Sequence, residues 1–598
     1  MNNINLRISE LKKQIETLPA GSVVTKTVHG KQYYYHRQTV NKKRVEKYIP
    51  LDEVDSFRKK IVLRKELTAE LKQLERSVPL TSSKSLQINT PLFKTNVLTG
   101  SMLRKFTEQV HSYKRRECYQ ILEDYICSSY ENKVFILYGL RRTGKTTLMR
   151  QVMDSMSDED IANSVFIQLT SKNTMAEVNQ DLHLLEDEGY KYIFLDEVTL
   201  LSDFIESAAL FSDIFVACGM KILLTGTDSL GFIFTEDEQL YDRCIMLHTT
   251  FIPYREFESV LNISGIDNYI QYGGTMSIST THYNDTSVFP TKKKTDEYVD
   301  TAIAHNIQHL LRYYQDEGHF RNLQTLYENN ELTNIINRVV EDINHRFTLD
   351  VLTSDFSSHD LAFSARNLRK DRNSPNDILD HIDIDSVTLH LRNLLEIKNK
   401  DELNITVDEA STEEIREYLY LLDIIDNIDI RSASGHNKNS RTIITQPGLR
   451  YSQADALISS LMQDDTFSSL SLLERSSVKE RIRSEIKGRM MEDIILLETK
   501  TAHPEKEVFV LQFPVGEFDM VVFDPDELNC QIYEIKHSTL AIPQQYRHLL
   551  DPDKCAKTQH RYGPITRKAV IYRGESKLFN NVEYINVEDY LKDIKTSL

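Results

Sequence analysis

Between an apolar run, Val134–Tyr138, and residues that favour a helix, the chain carries Gly139-Leu-Arg-Arg-Thr-Gly-Lys-Thr-Thr147. Two glycines at this spacing, followed by Lys-Thr, let backbone N–H groups wrap phosphates while the helix adds its positive dipole end. Gly139, Arg142, Thr143, Gly144, Lys145, Thr146 and Thr147 are therefore the candidate contacts of a nucleoside triphosphate, ATP. Lys145 would reach the β and γ phosphates, and the Thr146 hydroxyl would hold Mg²⁺. Downstream, Lys191-Tyr-Ile-Phe-Leu195 runs into Asp196-Glu197. A buried strand ending in two acids leaves both carboxylates at the carboxyl edge of a sheet. Asp196 would support the metal, and Glu197 would polarise the attacking water as general base. The next apolar run, Lys221–Thr225, ends in Gly226-Thr227-Asp228, where Thr227 or Asp228 is the candidate sensor of the γ-phosphate. Arg243 is a candidate for transition-state charge in cis or from a neighbouring subunit, with a structural salt bridge as the alternative.

A second set of chemistry-bearing residues lies near the carboxyl terminus. Glu492 falls on an expected helix, Asp519 in one expected strand, and Glu534-Ile-Lys536 in the next. Alternation along a strand sends Glu534 and Lys536 to one face, and the separation from Asp519 suits a hairpin. Asp519 and Glu534 would bind one or two Mg²⁺ (or Mn²⁺), with the Ile535 carbonyl and Glu492 completing the shell. Lys536 would position or help deprotonate a water. Gln545, expected on a following helix, reads as a solvated side chain rather than a substrate contact.

The elements that must position these groups follow from periodicity. Val134–Tyr138, Ser164–Leu169, Tyr192–Leu195, Lys221–Thr225 and Cys244–Leu247 are short apolar runs alternating with helices, the pattern of a parallel sheet. Upstream, Leu103–Cys127 reads as one charged helix. Strands are expected at Val508–Phe513, Glu517–Phe523, Gln531–Lys536, Lys568–Tyr572 and Val582–Ile585, forming a separate α/β domain. In between, Ser277–Thr295 is polar and turn-rich, and a long acidic helical region follows. There Ser411-Thr-Glu-Glu414 has the spacing of a capping box opening a helix from Glu413 to Leu422. With Leu389–Leu395 before it and Ile428–Arg431 and Thr442–Thr445 after it, the pattern is that of a winged helix. Its acidity opposes phosphate contact and favours a packing or relay role. At the amino end, Leu6–Leu18 and Val54–Leu74 read as helices around strands at Val23–Val28, Gln32–His36 and Arg44–Ile49. The division expected is 1–76, a basic α+β module; 77–116, linker and helix; 117–262, P-loop ATPase; 263–480, helical and winged-helix region; and 481–598, the last α/β domain.

Charge is uneven along the 598 residues. Residues 1–76 hold 17 Lys and Arg against 9 Asp and Glu, a net of +8 in a chain of −17, so the remainder is at −25. A basic end on an acidic body points to local contact with a polyanion, not to a nucleic-acid coat. Tyr33, Tyr34 and Tyr35, among Lys31, His36, Arg37, Lys42, Lys43 and Arg44, would either stack bases or alternate into a small core. No apolar run reaches membrane-spanning length, and the start lacks a signal-peptide pattern. The cysteines, Cys118, Cys127, Cys218, Cys244, Cys530 and Cys555, show no CxxC spacing, which fits a reducing cytoplasm.

Gly139–Thr147, Leu195-Asp-Glu197, Leu224–Leu230, Tyr241-Asp-Arg243 and Pro253-Tyr-Arg-Glu-Phe257 together resemble a large prokaryotic family of AAA-type ATPases. In that family the ATPase is followed by a winged helix and a PD-(D/E)XK nuclease-like domain. Tyr269-Ile-Gln-Tyr-Gly-Gly274, Tyr298-Val-Asp300 and Pro447-Gly-Leu-Arg450 resemble further motifs of the family, although Asp242 and Met276 depart from its usual Gly and Pro. The resemblance runs from about Glu117 to the carboxyl end, and the first residues resemble a small prokaryotic module of unknown function. It implies an ATP-controlled DNA endonuclease, plausible in defence against foreign DNA, with a homo-oligomer or a second protein component as the expected partner. The alternative is an ATP-switched sensor or scaffold whose nuclease fold binds nucleic acid without cutting it.

Overall fold

The computed structural model of the chain describes residues 22–28, 31–40, 93–127, 242–276, 292–304 and 320–357. With a few positions left out, it also describes 43–64, 133–227, 409–462 and 471–594, together with isolated residues such as Phe232, Leu240 and Leu311. Leu6–Leu18, most of the expected linker, Asp228 and Leu389–Leu395 lie outside the described residues. Two compact units divide the chain, Met1–Pro91 and Leu92–Leu598.

In the first unit, β1 (Ser22–Val28), β2 (Lys31–Val40) and β3 (Lys43–Ile49) form an antiparallel sheet. Adjacent residues point to opposite faces. Tyr35 meets Tyr48 edge to face at 5.8 Å, while the buried His36 packs 4.9 Å from Phe57 of the following helical segment. Val54 and Ile61 of that segment are buried together with Ile49 of β3.

The second unit opens with β4 (Asn96–Leu98). Helices α1 (Gly100–Glu108) and α2 (Tyr119–Cys127) follow, where one helix was expected. The break between them presents Arg116 to the phosphate-type loop described below. Then come β5 (Val134–Tyr138), α3 (Lys145–Ser155), β6 (Ser164–Gln168), α4 (Met175–Asp187), β7 (Tyr192–Asp196), β8 (Lys221–Gly226) and β9 (Cys244–His248). The strands assemble in the order β4-β6-β7-β8-β5-β9, parallel except for β4. Both faces are covered, which is why the middle positions of these strands are apolar in unbroken runs rather than alternating. Ile136, Ile167, Leu195 and Leu224 pack toward α4, and Phe135, Leu137, Phe166 and Leu223 pack toward α2 and α3.

Beyond the sheet lie α5 (Tyr254–Leu261) and α6 (Ile266–Tyr272). Lys292, Lys293 and Lys294 begin a helix, Lys292–Val299, instead of ending a turn-rich stretch. A helical cluster centred on α7 (Leu332–Ser357) and α8 (Glu409–Leu421) follows. Because α8 already includes Glu409, Ser411 is a buried position within it and not the expected cap at its start.

The hairpin expected to be a wing, β10 (Ile425–Ser432) and β11 (Lys438–Ile444), is not free. After α9 (Pro447–Leu461) and α10 (Leu472–Ala502), β10 pairs in parallel with β12 (Glu507–Gln512). The sheet continues through β13 (Glu517–Asp524), β14 (Asn529–Lys536), β15 (Ile565–Tyr572), β16 (Lys577–Phe579) and β17 (Val582–Asn586). Its order is β11-β10-β12-β13-β14-β15-β17-β16. The last block therefore shares its sheet with the preceding region and is not separate from it. The physical reason is that an open strand edge presents unpaired N–H and C=O groups, and β10 satisfies those of β12. On one face α10 buries Met490, Met491, Ile494 and Ile495 against Val510, Met520 and Ile535. On the other, Phe509, Val521 and Ile532 are covered by Tyr546, Leu549 and residues of α11 (Pro552–Tyr562). The final helix is α12 (Val587–Asp593).

Candidate functional site

β5 leads directly into Gly139, whose φ of +135° and neighbours admit no side chain: a Cβ would lie 2.4 Å from the Thr249 carbonyl oxygen. The loop closes at Gly144, φ +93°, which leads into α3. Glycine is required at both positions, at the first for close backbone approach and at the second for its left-handed φ. Lys145 Nζ donates to the Gly139 and Leu140 carbonyls, 2.8 Å each. Thr143 Oγ1 donates to the Leu140 carbonyl at 2.9 Å and lies 2.8 Å from Thr249 Oγ1. Thr146 and Thr147 occupy the first turn of α3. Arg142 is exposed with φ +66°. Its carbonyl accepts from Met276 N at 2.8 Å, and its guanidinium stands 6.0 Å from the Tyr298 ring centre.

The acid pair ends β7 beside this loop. Asp196 accepts from Thr146 Oγ1 at 2.9 Å and from the Thr225 hydroxyl. The two groups expected to hold Mg²⁺ are thus already neighbours, so these residues fit that ion. Glu197 has φ +61°, unusual for a side-chain-bearing residue and a feature often found where function demands it. Thr227 Oγ1 donates to Glu197 Oε2 at 3.3 Å. Burial raises the Glu197 carboxyl, with Lys145 pulling the other way. Burial likewise lowers the Lys145 ammonium to about 8, against the attraction of Glu197 and Asp196.

Arg243 is not brought to this site. It precedes β9, which runs parallel to β5 with Val134 opposite Cys244 and Tyr138 opposite His248. The phosphate-type loop follows Tyr138, so Arg243 sits at the opposite edge of the sheet, where it pairs with Asp213 at 2.6 Å. The structure supplies instead a buried arginine that sequence reasoning missed. Arg116 Nη1 donates to the Thr143 carbonyl at 2.8 Å and pairs with Glu256 at 2.6 Å. Both side chains are buried, and beside them opens a cavity of about 130 Å³ that His248 and Thr249 also line. The His248 ring stacks on Tyr138 at 4.8 Å, and burial lowers it to about 4, which keeps it neutral at physiological pH.

Some 350 residues further along the chain than Lys145, a second cluster is assembled from α10, β13 and β14. Asp519 Oδ2 accepts from Ile535 N at 2.7 Å and from Lys536 Nζ at 2.8 Å. Lys536 Nζ also lies 2.8 Å from Glu534 Oε2, so Glu534 and Lys536 do share the face of Asp519. Glu534 Oε1 is buried with no hydrogen-bond partner. Glu492 pairs with Arg489 at 2.5 Å. Burial raises both Glu492 and Glu534, and the Asp519 charge adds to it. Burial alone would lower the Lys536 ammonium, but Asp519, Glu534 and Glu492 more than offset that and hold it well above its usual range. An unpartnered carboxylate oxygen beside a second carboxylate fits a divalent cation. Among the described residues, however, no group of three or more His, Cys, Asp or Glu is arranged to hold one, so the fit rests on two carboxylates. Ile535 lies opposite Ile571 in the β14–β15 ladder. Gln545 is buried rather than solvated, its amide tied to the Leu540 carbonyl at 2.9 Å and to Ile542 N at 3.2 Å.

No curated protein matches the chain. Solved structures that it resembles include the Aeropyrum pernix ORC1 protein in complex with DNA, at 13% identity over 62% of this chain and 94% of that one, with a TM-score of 0.21. Katanin, from a structure on its self-assembly, matches at 15% identity over 36% and 71%, with a TM-score of 0.18. C. elegans PCH-2 matches at 16% identity over 37% and 64%, again with a TM-score of 0.18. Among the described residues no helix is long and apolar enough to cross a membrane. Residues 1–59 match the family model of a domain of unknown function, DUF6788. Residues 131–258 match the family model described as AAA domain, and with the loop, acid pair and parallel sheet above, this part of the chain is an AAA-type P-loop ATPase core.

Proposed function

We propose that the chain is an ATP-regulated, metal-dependent DNA endonuclease, and on architecture alone we extend this to defence against foreign DNA. The observation that carries the reading is the Asp519–Glu534–Lys536 cluster, with the buried Glu492 carboxyl within reach of its charges, on the same chain as the ATPase core. In the ATP site the loop N–H groups bind phosphate, and Lys145 exchanges its two carbonyl partners for phosphate oxygens. Thr146 and Asp196 would hold Mg²⁺, which supplies positive charge against the phosphates. Glu197, steadied by Thr227, takes the proton of the attacking water. In the second site Asp519 and Glu534 would hold Mg²⁺ or Mn²⁺, which supplies Lewis-acid stabilisation of a scissile phosphate. There Lys536 would position or help deprotonate the attacking water, and Glu492 with the Ile535 carbonyl would complete the metal's shell.

The test is to incubate the protein with linear, circular and single-stranded DNA, with either metal, with and without ATP. Asp519→Ala and Lys536→Ala should each abolish cleavage while ATP hydrolysis persists. One observation favours a second reading, an ATP-switched sensor or scaffold: Lys536 is tied to both carboxylates at 2.8 Å, as a purely structural ion pair would be. A wild-type protein inert on every substrate would promote that reading.

A further inference from the structure

Next to the carboxyl-terminal cluster, three basic side chains from three elements converge on one carboxylate. Lys487 of α10 lies 3.4 Å from Asp267 Oδ1, His537, directly after β14, lies 3.4 Å from the same oxygen, and Arg573, directly after β15, pairs with Oδ2. Arg573 N donates to the Ser538 carbonyl at 3.0 Å, and a Cβ on Gly488 would lie 3.5 Å from that of His537, so the three basic side chains belong to one packed rim. This rim adjoins the cluster directly, since His537 follows Lys536 and Lys487 precedes Glu492 by little more than a helical turn. The acid is the foreign member. Asp267 belongs to α6, whose first N–H, that of Ile266, is held by Glu588 of α12, while the N–H of the preceding Gly265 donates to the Tyr254 hydroxyl. The segment just past α6 is fixed to the ATP site, because Met276 N donates to the Arg142 carbonyl. His537, with Arg573 and Lys487, holds the Asp267 carboxyl down at about 2 against its partial burial. It is therefore an anion at every physiological pH.

A carboxylate facing Lys, His and Arg at these distances presents what a phosphodiester would: two oxygens, one negative charge and a match for the guanidinium fork. We propose that Lys487, His537 and Arg573 form a binding site for a nucleic-acid phosphate, and that Asp267 occupies it as an internal mimic. Nucleic acid must then displace Asp267 to reach the rim, and α6 links that displacement to the loop that binds ATP. The proposal rests on the nucleic-acid reading above but not on cleavage.

The test is equilibrium binding of a short fluorescein-labelled DNA duplex, and of the same sequence as RNA, followed by anisotropy in EDTA over a range of salt. Asp267→Asn removes the mimic's charge with little change in shape and should tighten binding about tenfold. Lys487→Ala combined with Arg573→Ala should weaken it and lower the slope of log K against log salt by about 2, one for each lost phosphate contact. Adding both alanines to Asp267→Asn should erase the gain. The DNA and RNA arms tell which backbone is preferred, and thermal unfolding of each variant separates lost binding from lost folding. Folded variants with unchanged affinity and slope would overturn the proposal even if Asp519→Ala abolishes cleavage. Binding that follows the rim in a protein that cuts nothing would instead overturn the endonuclease reading alone.

Discussion

At the scale of single residues the ATP site depends on how two opposite charges share one buried place. Lys145 and Glu197 each lose hydration, and each partly restores the other's charge. Removing one has different consequences from removing the other. Lys145→Ala takes away the cation that the phosphates need and should abolish nucleotide binding in a fluorescent-nucleotide titration. Glu197→Gln leaves Thr146 and Asp196 in contact and removes only the proton acceptor. It should retain ATP while hydrolysis falls by about 10² to 10⁴. Hydrolysis at the wild-type rate in that variant would show that Glu197 is not the base. These residues were legible because an acid or a lysine at a strand end is a local pattern. For Arg243 strand direction decides against a role at this chain's own loop, since a residue before a parallel strand lies at the far edge from a loop that follows its neighbour, and the salt bridge left open in the sequence is there with Asp213. Arg116 had no such local pattern, since its partner Glu256 is 140 residues away.

At the scale of elements, α10 carries carboxylates along its length that reach both the Asp519 cluster and the residues beside the phosphate-type loop. Arg450 of α9 pairs with Asp493, is fully buried, and lies 4.2 Å from the Phe347 ring centre of α7. Truncating Arg450 to alanine takes the hydrogen-bonded arginine from the buried Asp493, leaving Arg441 at 2.8 Å and the more distant charge of Arg489, and should cost about 3 kcal/mol or more in urea unfolding. Further along, Glu498 Oε1 accepts from Tyr254 N at 2.8 Å, and burial pushes its carboxyl up to about 7. A carboxyl raised in the folded state binds its proton more tightly there than in the unfolded chain. Its contribution is thus complete below the ordinary carboxylate range and is lost as pH rises toward 7. Glu498→Gln should flatten this part of the stability profile, gaining on the wild type by roughly 3 kcal/mol at mildly alkaline pH. A parallel pH profile for both proteins would contradict it. The strands were legible because both-face burial writes them as apolar runs, and the Asp519–Glu534–Lys536 set because strand alternation is strict. That β10 and β11 join the last sheet was not legible, because strand pairing across some 80 residues is decided by edges seeking partners rather than by local sequence.

At the scale of the whole molecule the charge asymmetry coincides with a structural division. The basic excess lies in residues 1–76, and the first compact unit is Met1–Pro91. Within that unit Ile49 of the small sheet is buried together with Val54 and Ile61 of the helical segment that follows it, so the unit has a core of its own. The large unit in turn holds the P-loop, the acid pair and the carboxyl-terminal cluster in its own two sheets. Removing residues 1–91 should therefore leave a folded protein that hydrolyses ATP at a rate close to that of the full chain. Nucleic-acid binding should respond differently. The surplus lysines and arginines of the removed unit release counterions when they meet phosphates, so the truncated protein should bind more weakly and show a shallower dependence of log K on log salt. Its preference among sequences should not change, because backbone contacts position a duplex without reading it. Tyr34 and Tyr35, half-buried on opposite faces of β2, provide the finer test. If the tyrosines stack bases, replacing Tyr35 with alanine in the full chain should weaken single-stranded binding by about 1–3 kcal/mol while leaving the salt slope intact. If the sheet only packs or docks a partner, both the truncation and the tyrosine variant will bind nucleic acid with the affinity and slope of the full chain.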